Sequence, residues 1–170
     1  MKKHIWTELS KVEENKIWSA VYNCFNFKPS IYEKNFPGFK EPSPSITYSF
    51  SDIWRDNFDD LNRDLHIEAS RIFKKLIVPD DFLYALDWQH PCYRFYPHKA
   101  FLYDTKEWMI PALPNGDYYI SLEKSLKFGW LGHPWEETIC VFGEPLLCEL
   151  KIQRPKIFRK PIRQKVLFEN

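Results

Sequence analysis

The order of the periodic segments along the chain constrains its fold more than any other feature. Apolar residues recur at helical spacing over residues 10–25 and again over residues 58–76, and residues 46–50 between them alternate apolar and polar side chains. From Phe82 onward, short strand-like segments follow one another. This succession is typical of α+β domains. The sequence therefore predicts an α+β fold, in which an antiparallel sheet of about five or six strands has two main helices packed on one face.

Local signals support the predicted helices and strands. Ser10 followed by Glu13 has the form of a capping box at the start of the first helix, Ser51 and Asp52 can cap the second, and Pro79 ends the second. A third, shorter helix is predicted over residues 143–150, and a turn over residues 115–117, where Asn and Gly favour a chain reversal. The strands predicted after the second helix span residues 83–88, 92–96, 107–110, 118–123, 127–131 and 138–142.

The segment between the first helix and the first strand is rich in residues that interrupt regular structure. They are Pro29, Pro37, Gly38, Pro42 and Pro44. We therefore expect residues 26–45 to be irregular and partly extended. Connections of this length in a compact domain are often functional.

The length of 170 residues fits one domain, but its charge is unevenly distributed. Residues 151–170 contain seven of the 24 basic and one of the 23 acidic residues, so their net charge is +6 and that of residues 1–150 is −5. The segment is interpreted as a solvated tail or a closing strand, and apolar side chains interspersed among its bases favour docking over a free polycation. We predict a single α+β domain at residues 1–150 and a basic C-terminal tail at residues 151–170 that is partly docked.

The cysteines and the N-terminus point to the cytoplasm. No cysteine pair has the Cys-x-x-Cys spacing of a zinc site or redox motif. The cysteines lie among apolar or aromatic sequence neighbours, so we expect four reduced core thiols: Cys24, Cys92, Cys140 and Cys148. The first residues lack the apolar stretch of a signal peptide, and the longest charge-free run is shorter than the roughly 20 residues of a membrane-spanning helix. We expect a cytoplasmic protein that does not associate with membranes.

Aromatic and polar side chains concentrate in two stretches, residues 87–98 and residues 128–138. Tryptophan, tyrosine and arginine dominate protein–protein interfaces, although aromatic rings also fill cores. We expect the loops of the two stretches to meet on the sheet and form one site. The candidate binding residues are Trp88, His90, Tyr93, Arg94, His98, His133, Trp135 and Glu136.

Acid–base catalysis is the alternative for the same stretches. His133 and Glu136 are three residues apart, close enough to share a hydrogen bond and carry protons in a small hydrolase-like enzyme. His90 or His98 would then supply a second polar group. In a purely structural interpretation, Glu136 instead pairs with His133 and Arg94. The sequence contains no nucleophile elbow, P-loop or dinucleotide fingerprint.

Metal and nucleic-acid binding are both disfavoured. The donors that would be available for zinc are His90, His98, His133, Asp87 and Glu136. However, no pair of these histidines has the spacing of a helical zinc motif. We therefore predict no metal and no cofactor. The negative balance of residues 1–150 argues against nucleic-acid binding, which needs a basic, aromatic face.

Several longer motifs carry a family resemblance. They are ALDWQHPCYRF (residues 85–95), PNGDYY (residues 114–119) and FGWLGHPWE (residues 128–136), with FKPS (residues 27–30) and EPSPSIT (residues 41–47) before them. Together they resemble the bacterial family catalogued as domain of unknown function 2716. The resemblance covers about residues 6–150, and the basic tail departs from it. It implies a soluble single-domain protein of bacteria, Bacillus-like organisms among them, and it implies no activity.

The leading interpretation is a non-enzymatic protein-binding module. Small α+β proteins of such bacteria often resemble immunity proteins, which neutralise a toxin, and by this analogy we interpret the chain as an immunity-type inhibitor. Its acidic body favours a basic partner such as a toxin domain. The sequence does not predict the oligomeric state.

Overall fold

The structure is a computed structural model that describes residues 5–55, 57–100 and 108–166. These residues form three α-helices and eight β-strands. In chain order the elements are β1 (Trp6–Glu8), α1 (Lys11–Phe25), β2 (Ser45–Ser49), α2 (Phe58–Leu76), β3 (Leu83–Asp87), β4 (Tyr93–Phe95), β5 (Tyr119–Leu122), β6 (Gly129–His133), β7 (Thr138–Phe142), α3 (Glu144–Ile152) and β8 (Lys160–Lys165). Short 3-10 turns lie at Glu33–Asn35, Ser51–Trp54 and Pro97–Lys99.

All eight strands pair antiparallel in one sheet, in the order β1-β4-β3-β5-β6-β7-β2-β8. The α+β class is confirmed, but the predicted number of five or six strands is wrong. The sequence did not indicate β1, which is three residues long, and it left β8 open between a solvated tail and a closing strand, because β8 exposes nearly all of its side chains. A strand at the edge of a sheet lacks the apolar alternation that burial imposes.

Helices cover both faces of this sheet. α2 and α3 pack on one face, where Phe73 and Leu146 share an apolar core with Trp130. α1 packs on the opposite face, where Val21 shares a second core with Leu131. The prediction that the two main helices lie on one face is therefore wrong. Every residue of β6 and β7 is buried, so these strands have no polar side that would have distinguished the faces in the sequence.

The start of α1 agrees with its sequence signal, whereas α2 begins at Phe58 after Asn57, and its predicted caps Ser51 and Asp52 lie in a separate 3-10 turn. The hydroxyl of Ser10 accepts the backbone N–H of Glu13 at 3.3 Å and caps α1, while the Glu13 carboxylate binds Arg94. α2 ends at Leu76, ahead of Pro79, and α3 is present where a short third helix was predicted. Within the described ranges, no helix is both long and apolar enough to cross a membrane.

The strand predicted at residues 107–110 has no counterpart among the eight. Its first residue, Glu107, lies outside the described residues, and the next three form no strand. The other five strands predicted after Phe82 correspond to β3 through β7.

The basic segment after residue 150 returns to the sheet as its outermost strand. The ring of Phe158 stacks on Tyr48 with centroids 4.5 Å apart, and β8 then pairs with β2. Lys165 Nζ donates to the backbone carbonyl of Glu41 at 2.9 Å. Residues 158–165 therefore pack against the body of the molecule, and the domain boundary placed at residue 150 stays a prediction.

All four cysteines are free thiols, but their environments differ. Cys92 and Cys140 are buried, and burial raises the pKa of Cys140 to about 12. Cys24 and Cys148 are exposed, so the prediction that they belong to the core is wrong. Both lie on helices, where the neighbours in sequence point in other directions than the cysteine itself.

Candidate functional site

The structure distributes the eight predicted site residues over three places. Trp135 and Glu136 lie in the β6–β7 turn, directly after His133 at the end of β6. Trp88 and His90 follow the end of β3, and the Tyr118 ring joins Trp88 to His133, with centroids 6.1 Å from the former and 4.7 Å from the latter. Tyr93, Arg94 and His98 form the third group, in β4 and just after it. Two strands of the sheet, β3 and β5, separate β4 from β6.

His133 is buried and uses both ring nitrogens. It is 1% exposed, and its Nδ1 accepts the backbone N–H of Glu136 at 3.0 Å. In the neutral ring the hydrogen therefore lies on Nε2, which donates to the Tyr118 hydroxyl at 3.1 Å. Burial lowers the pKa of His133 to about 4, although the Glu136 carboxylate opposes the shift. At neutral pH the imidazole is uncharged and fully hydrogen-bonded.

We expect His133 to make the fold less stable as the pH falls. Its ordinary pKa is 6.5 and its pKa in the folded chain is about 4, so the unfolded chain binds more protons between these values. The stabilising contribution is complete above pH 6.5 and declines towards pH 4, with about 2 kcal/mol lost by pH 5. Urea unfolding at neutral pH and at about pH 5 measures this loss.

The control for this prediction is His133→Gln, whose amide does not titrate. The free energy of unfolding of this variant should fall less between the two pH values, by about the same 2 kcal/mol. His66 is a second buried histidine with a pKa lowered by burial, and it contributes the same pH dependence to the stability of both proteins. Equal pH dependence in the two proteins would contradict the neutral, buried state of His133.

Tyr118 fastens the proline-rich segment to the sheet. Its hydroxyl accepts the backbone N–H of Ser30 at 2.9 Å and donates to the carbonyl of the same residue at 2.8 Å. Phe27 meets the Tyr118 ring edge-on with centroids 5.4 Å apart, and the Phe36 ring lies 4.5 Å from that of His133. These contacts hold residues 27–36 beside the β6–β7 turn.

An arginine of β8 holds Glu136. Arg163 Nη1 and Nη2 donate to the two carboxylate oxygens at 2.6 and 2.8 Å, and the Thr138 hydroxyl donates to Oε2 at 2.8 Å. Arg163 Nε donates to Glu41 Oε1 at 2.8 Å, which also accepts the Thr47 hydroxyl at 2.6 Å. Burial alone raises the pKa of Glu136, but the bonds from Arg163 and Thr138 outweigh it and the pKa is lowered. Glu136 is therefore an ionised partner of Arg163.

The third group of predicted site residues makes structural contacts. Arg94 binds Glu13 of α1, with Nε at 3.0 Å and Nη2 at 2.7 Å from the carboxylate, so the pairing of Arg94 with Glu136 is wrong. Tyr93 meets an aromatic ring of β1 edge-on. The Nε2 atom of His98 lies 2.6 Å from a backbone carbonyl oxygen that follows α2.

His90, in the β3–β4 connection, lies beside two aspartates, one at the end of β3 and one just before β5. Oxygens of Asp87 and Asp117 are 3.1 and 3.4 Å from its Nδ1. The hydrogen bond to Asp87 raises the pKa of His90. Burial raises the pKa of Asp87, an effect that His90 opposes and Asp117 reinforces. His98 and His133, which the sequence offered as further zinc donors, lie elsewhere in the fold.

Exposed apolar and acidic side chains lie around the β6–β7 turn. Trp135 is 53% exposed and Ile31 is 60% exposed, and between them lies a cavity of about 530 Å³ lined by Ile31, Glu33, Phe36, Trp135 and Glu136. Trp54 is 50% exposed and contacts the same turn, since its Nε1 donates a hydrogen bond to the Glu137 carboxylate at 2.9 Å. The turn surface, as we call it below, consists of Ile31, Glu33, Trp54, Trp135 and Glu137.

Sequence reasoning found only part of the turn surface. Trp135 was predicted as a binding residue, whereas Ile31, Glu33, Trp54 and Glu137 were not. The length and proline content of residues 26–45 signalled a functional segment without indicating which side chains it exposes. Nothing in the local sequence around Trp54 distinguishes an exposed tryptophan from a buried one.

Comparisons with known proteins confirm the family resemblance. The chain matches the family described as "Protein of unknown function (DUF2716)" over residues 8–147. It is similar to "Uncharacterized protein YxiI" of Bacillus subtilis strain 168, with 34% identity over 161 residues that cover 91% of this chain and 97% of the relative. No solved structure matches the chain.

Proposed function

Because the chain belongs to DUF2716, a family of proteins of unknown function, we propose from its geometry that it is a non-enzymatic protein-binding module. The turn surface carries this proposal. Its three large apolar side chains are each at least half exposed; Ile31 and Trp135 line the cavity with Glu33, and Trp54 donates to the carboxylate of Glu137. An apolar surface rimmed by polar groups is typical of a protein interaction site.

The ring of Trp54 is held in place before any partner arrives, and a hydrogen bond fixes the backbone of the turn that carries Trp135. Trp54 stacks on Phe58 with centroids 5.3 Å apart and donates its indole N–H to Glu137. Trp135 lies in a turn whose preceding strand ends in the hydrogen-bonded His133. Rings that are already ordered lose less entropy when they bind, which suits them as anchors of an interface.

The alternative of a small hydrolase-like enzyme has less support. His133 is neutral with both nitrogens engaged, and the Glu136 carboxylate accepts three hydrogen bonds. General acid–base catalysis needs a group within reach of the substrate and free to exchange a proton. His90 and His98, the suggested second polar groups, lie away from this pair.

The partner that fits this surface is a basic protein. Glu33 lines the cavity beside Trp135, and Glu137 accepts the indole N–H of the exposed Trp54. Lysine and arginine side chains bind both carboxylates and the faces of indole rings. An immunity-type inhibitor of a basic toxin domain has this chemistry. The proposal places the protein in the cytoplasm, where the exposed thiols of Cys24 and Cys148 stay reduced.

The experiment is quantitative capture from a lysate of the bacterium that carries the gene, followed by binding measurements with the purified partner. We expect one basic protein to bind the wild-type chain with equal stoichiometry and with an affinity that falls as salt is added. Trp135→Ala should weaken its binding about thirtyfold, as expected for an interface anchor.

The matched control is Met109→Ala, which removes an apolar side chain of nearly equal exposure, 52%, outside the turn surface. This variant should bind the partner as the wild type does. Retention of full affinity by Trp135→Ala, or equal losses in both variants, would contradict the assignment of the surface.

A further inference from the structure

Three potential metal ligands converge from two segments of the chain near the end of β3. Asp87 is the last residue of β3 and lies opposite Tyr119 of β5, and Asp117 lies two residues before Tyr119, in the bend that leads into β5. His90 folds back over Asp87 in a turn closed by its N–H to the Asp87 carbonyl at 3.2 Å, with Gln89 in the left-handed region at φ 66°. The chain therefore brings one imidazole and two carboxylates together.

The distances between these donors suit a coordination sphere. Nδ1 of His90 lies 3.1 Å from Asp87 Oδ1 and 3.4 Å from Asp117 Oδ2, and the three ligand atoms are all within 4.8 Å of one another. Ligands at about 2.0–2.1 Å from a metal ion, in octahedral to tetrahedral arrangement, are separated by roughly 2.9–3.4 Å. The two distances from the imidazole nitrogen fall in this interval.

The charge of the cluster is not balanced by the side chains around it. Nδ1 carries at most one hydrogen, which bonds to Asp87, so the nearby Asp117 Oδ2 receives no hydrogen bond from the imidazole. Across the parts of the chain that the structure covers, no lysine or arginine forms an ion pair with either aspartate. Even a protonated His90 leaves one negative charge, whereas a divalent cation with a neutral imidazole leaves none.

The backbone orients the second aspartate towards the cluster. Asp117 Oδ1 accepts the backbone N–H of Tyr118 at 2.8 Å, which leaves Oδ2 to face His90. Such a bond to the far oxygen of a carboxylate fixes a metal ligand in place. The side chains of Asp87 and Asp117 are 16% and 25% exposed and that of His90 is 57% exposed, so water has access to the remaining coordination positions.

We propose that Asp87, His90 and Asp117 bind a divalent transition-metal ion of the Zn²⁺ class. One nitrogen and two carboxylate oxygens are donors that such ions accept, and water completes the coordination. This site replaces the expectation of no metal. It lies apart from the turn surface, and its existence does not depend on the proposed protein-binding function.

Isothermal titration of the untagged full-length chain with Zn²⁺ tests the proposal. We expect one ion to bind per chain at sub-millimolar concentration. His90→Gln and Asp117→Asn should each weaken the binding at least tenfold, whereas His98→Gln, which removes another exposed imidazole, should leave it unchanged. The far-UV circular dichroism of each variant confirms that it is folded.

A measurement on the wild-type chain alone does not depend on how the variants fold. Substoichiometric Co²⁺ should selectively shift or broaden the NMR signals of the His90 ring and leave those of His98 unaffected. Absence of saturable Zn²⁺ uptake, unchanged affinity in His90→Gln and Asp117→Asn, or equal effects of Co²⁺ on both rings would overturn the proposal. The cluster would then be an ion pair that closes the turn.

Discussion

Replacement of Arg163 by alanine is expected to lower the free energy of unfolding by about 3 kcal/mol. The guanidinium bridges Glu136 and Glu41, whose side chains are 12% and 3% exposed. Without the guanidinium, the two poorly solvated carboxylates lose their cation. A buried carboxylate that has no counter-charge strongly destabilises the folded state. Urea unfolding monitored by circular dichroism measures the loss, with the slope of the transition showing whether β8 remains paired.

Two variants isolate the cause. Arg163→Lys keeps the charge but not the forked geometry that reaches both carboxylates, so its stability should lie between those of the wild type and the alanine variant. Arg63→Ala removes an arginine that forms an ion pair with Asp60, and the side chains of both residues are more than half exposed. This variant should lose less than about 0.5 kcal/mol of its free energy of unfolding. Similar losses in Arg63→Ala and Arg163→Ala would show that the buried bridge does not stabilise the fold.

Gly143→Ala is expected to destabilise the fold by at least about 3 kcal/mol. Gly143 links β7 to α3 at φ 93° and ψ 133°, a conformation that residues with a Cβ rarely adopt. An added Cβ would lie 2.5 Å from Phe128 Cβ and still closer to the carbonyl oxygen of Lys127. Backbone atoms cannot rotate away as a side chain can, so β6 or α3 has to shift. Thermal and urea unfolding both report the change.

Gly116→Ala is the matched control, because an added Cβ there meets no atom within 4 Å and φ is not in the left-handed region. Its stability should be unchanged or higher by up to about 0.5 kcal/mol, since alanine restricts the unfolded chain. A Gly143→Ala protein as stable as Gly116→Ala would rule out the steric conflict at residue 143.

The parts of the fold that the sequence predicted are those with a local cause. α2 has one apolar and one charged face, and α1 has a serine that caps its first turn, so the sequence predicted both helices and the true start of α1. The parts of the fold that the sequence did not settle depend on contacts with residues far away in the chain. The strand β8 carries Lys160, Pro161 and Lys165, which disfavour strand formation locally, yet it pairs with a segment more than 110 residues earlier.

The arrangement of the helices was hidden for a different reason. Alternation in a strand identifies its buried side only when the other side is polar, and β6 and β7 are buried on both sides. Their sequences are equally consistent with helices on one face or on two.

The candidate site shows the same division between local and distant contacts. The hydrogen bond between Glu136 and His133 follows from their spacing of three residues. The contact of Glu41 with Arg163 spans 122 residues, and that of Ser30 with Tyr118 spans 88. No periodicity or composition encodes pairs so far apart, and these contacts neutralise Glu41 and position the proline-rich segment.

The place of β2 in the sheet has a consequence for the order in which the protein folds. β2 lies between β7 and β8, so the ribosome synthesises both of its hydrogen-bonding neighbours long after β2 itself. At a synthesis rate of about 5–20 residues per second, residues 45–49 wait roughly 5–25 s for these partners. During this interval both edges of the nascent segment are open to pairing with other chains, and closure of the sheet requires encounters between sequence-distant strands, which are slow.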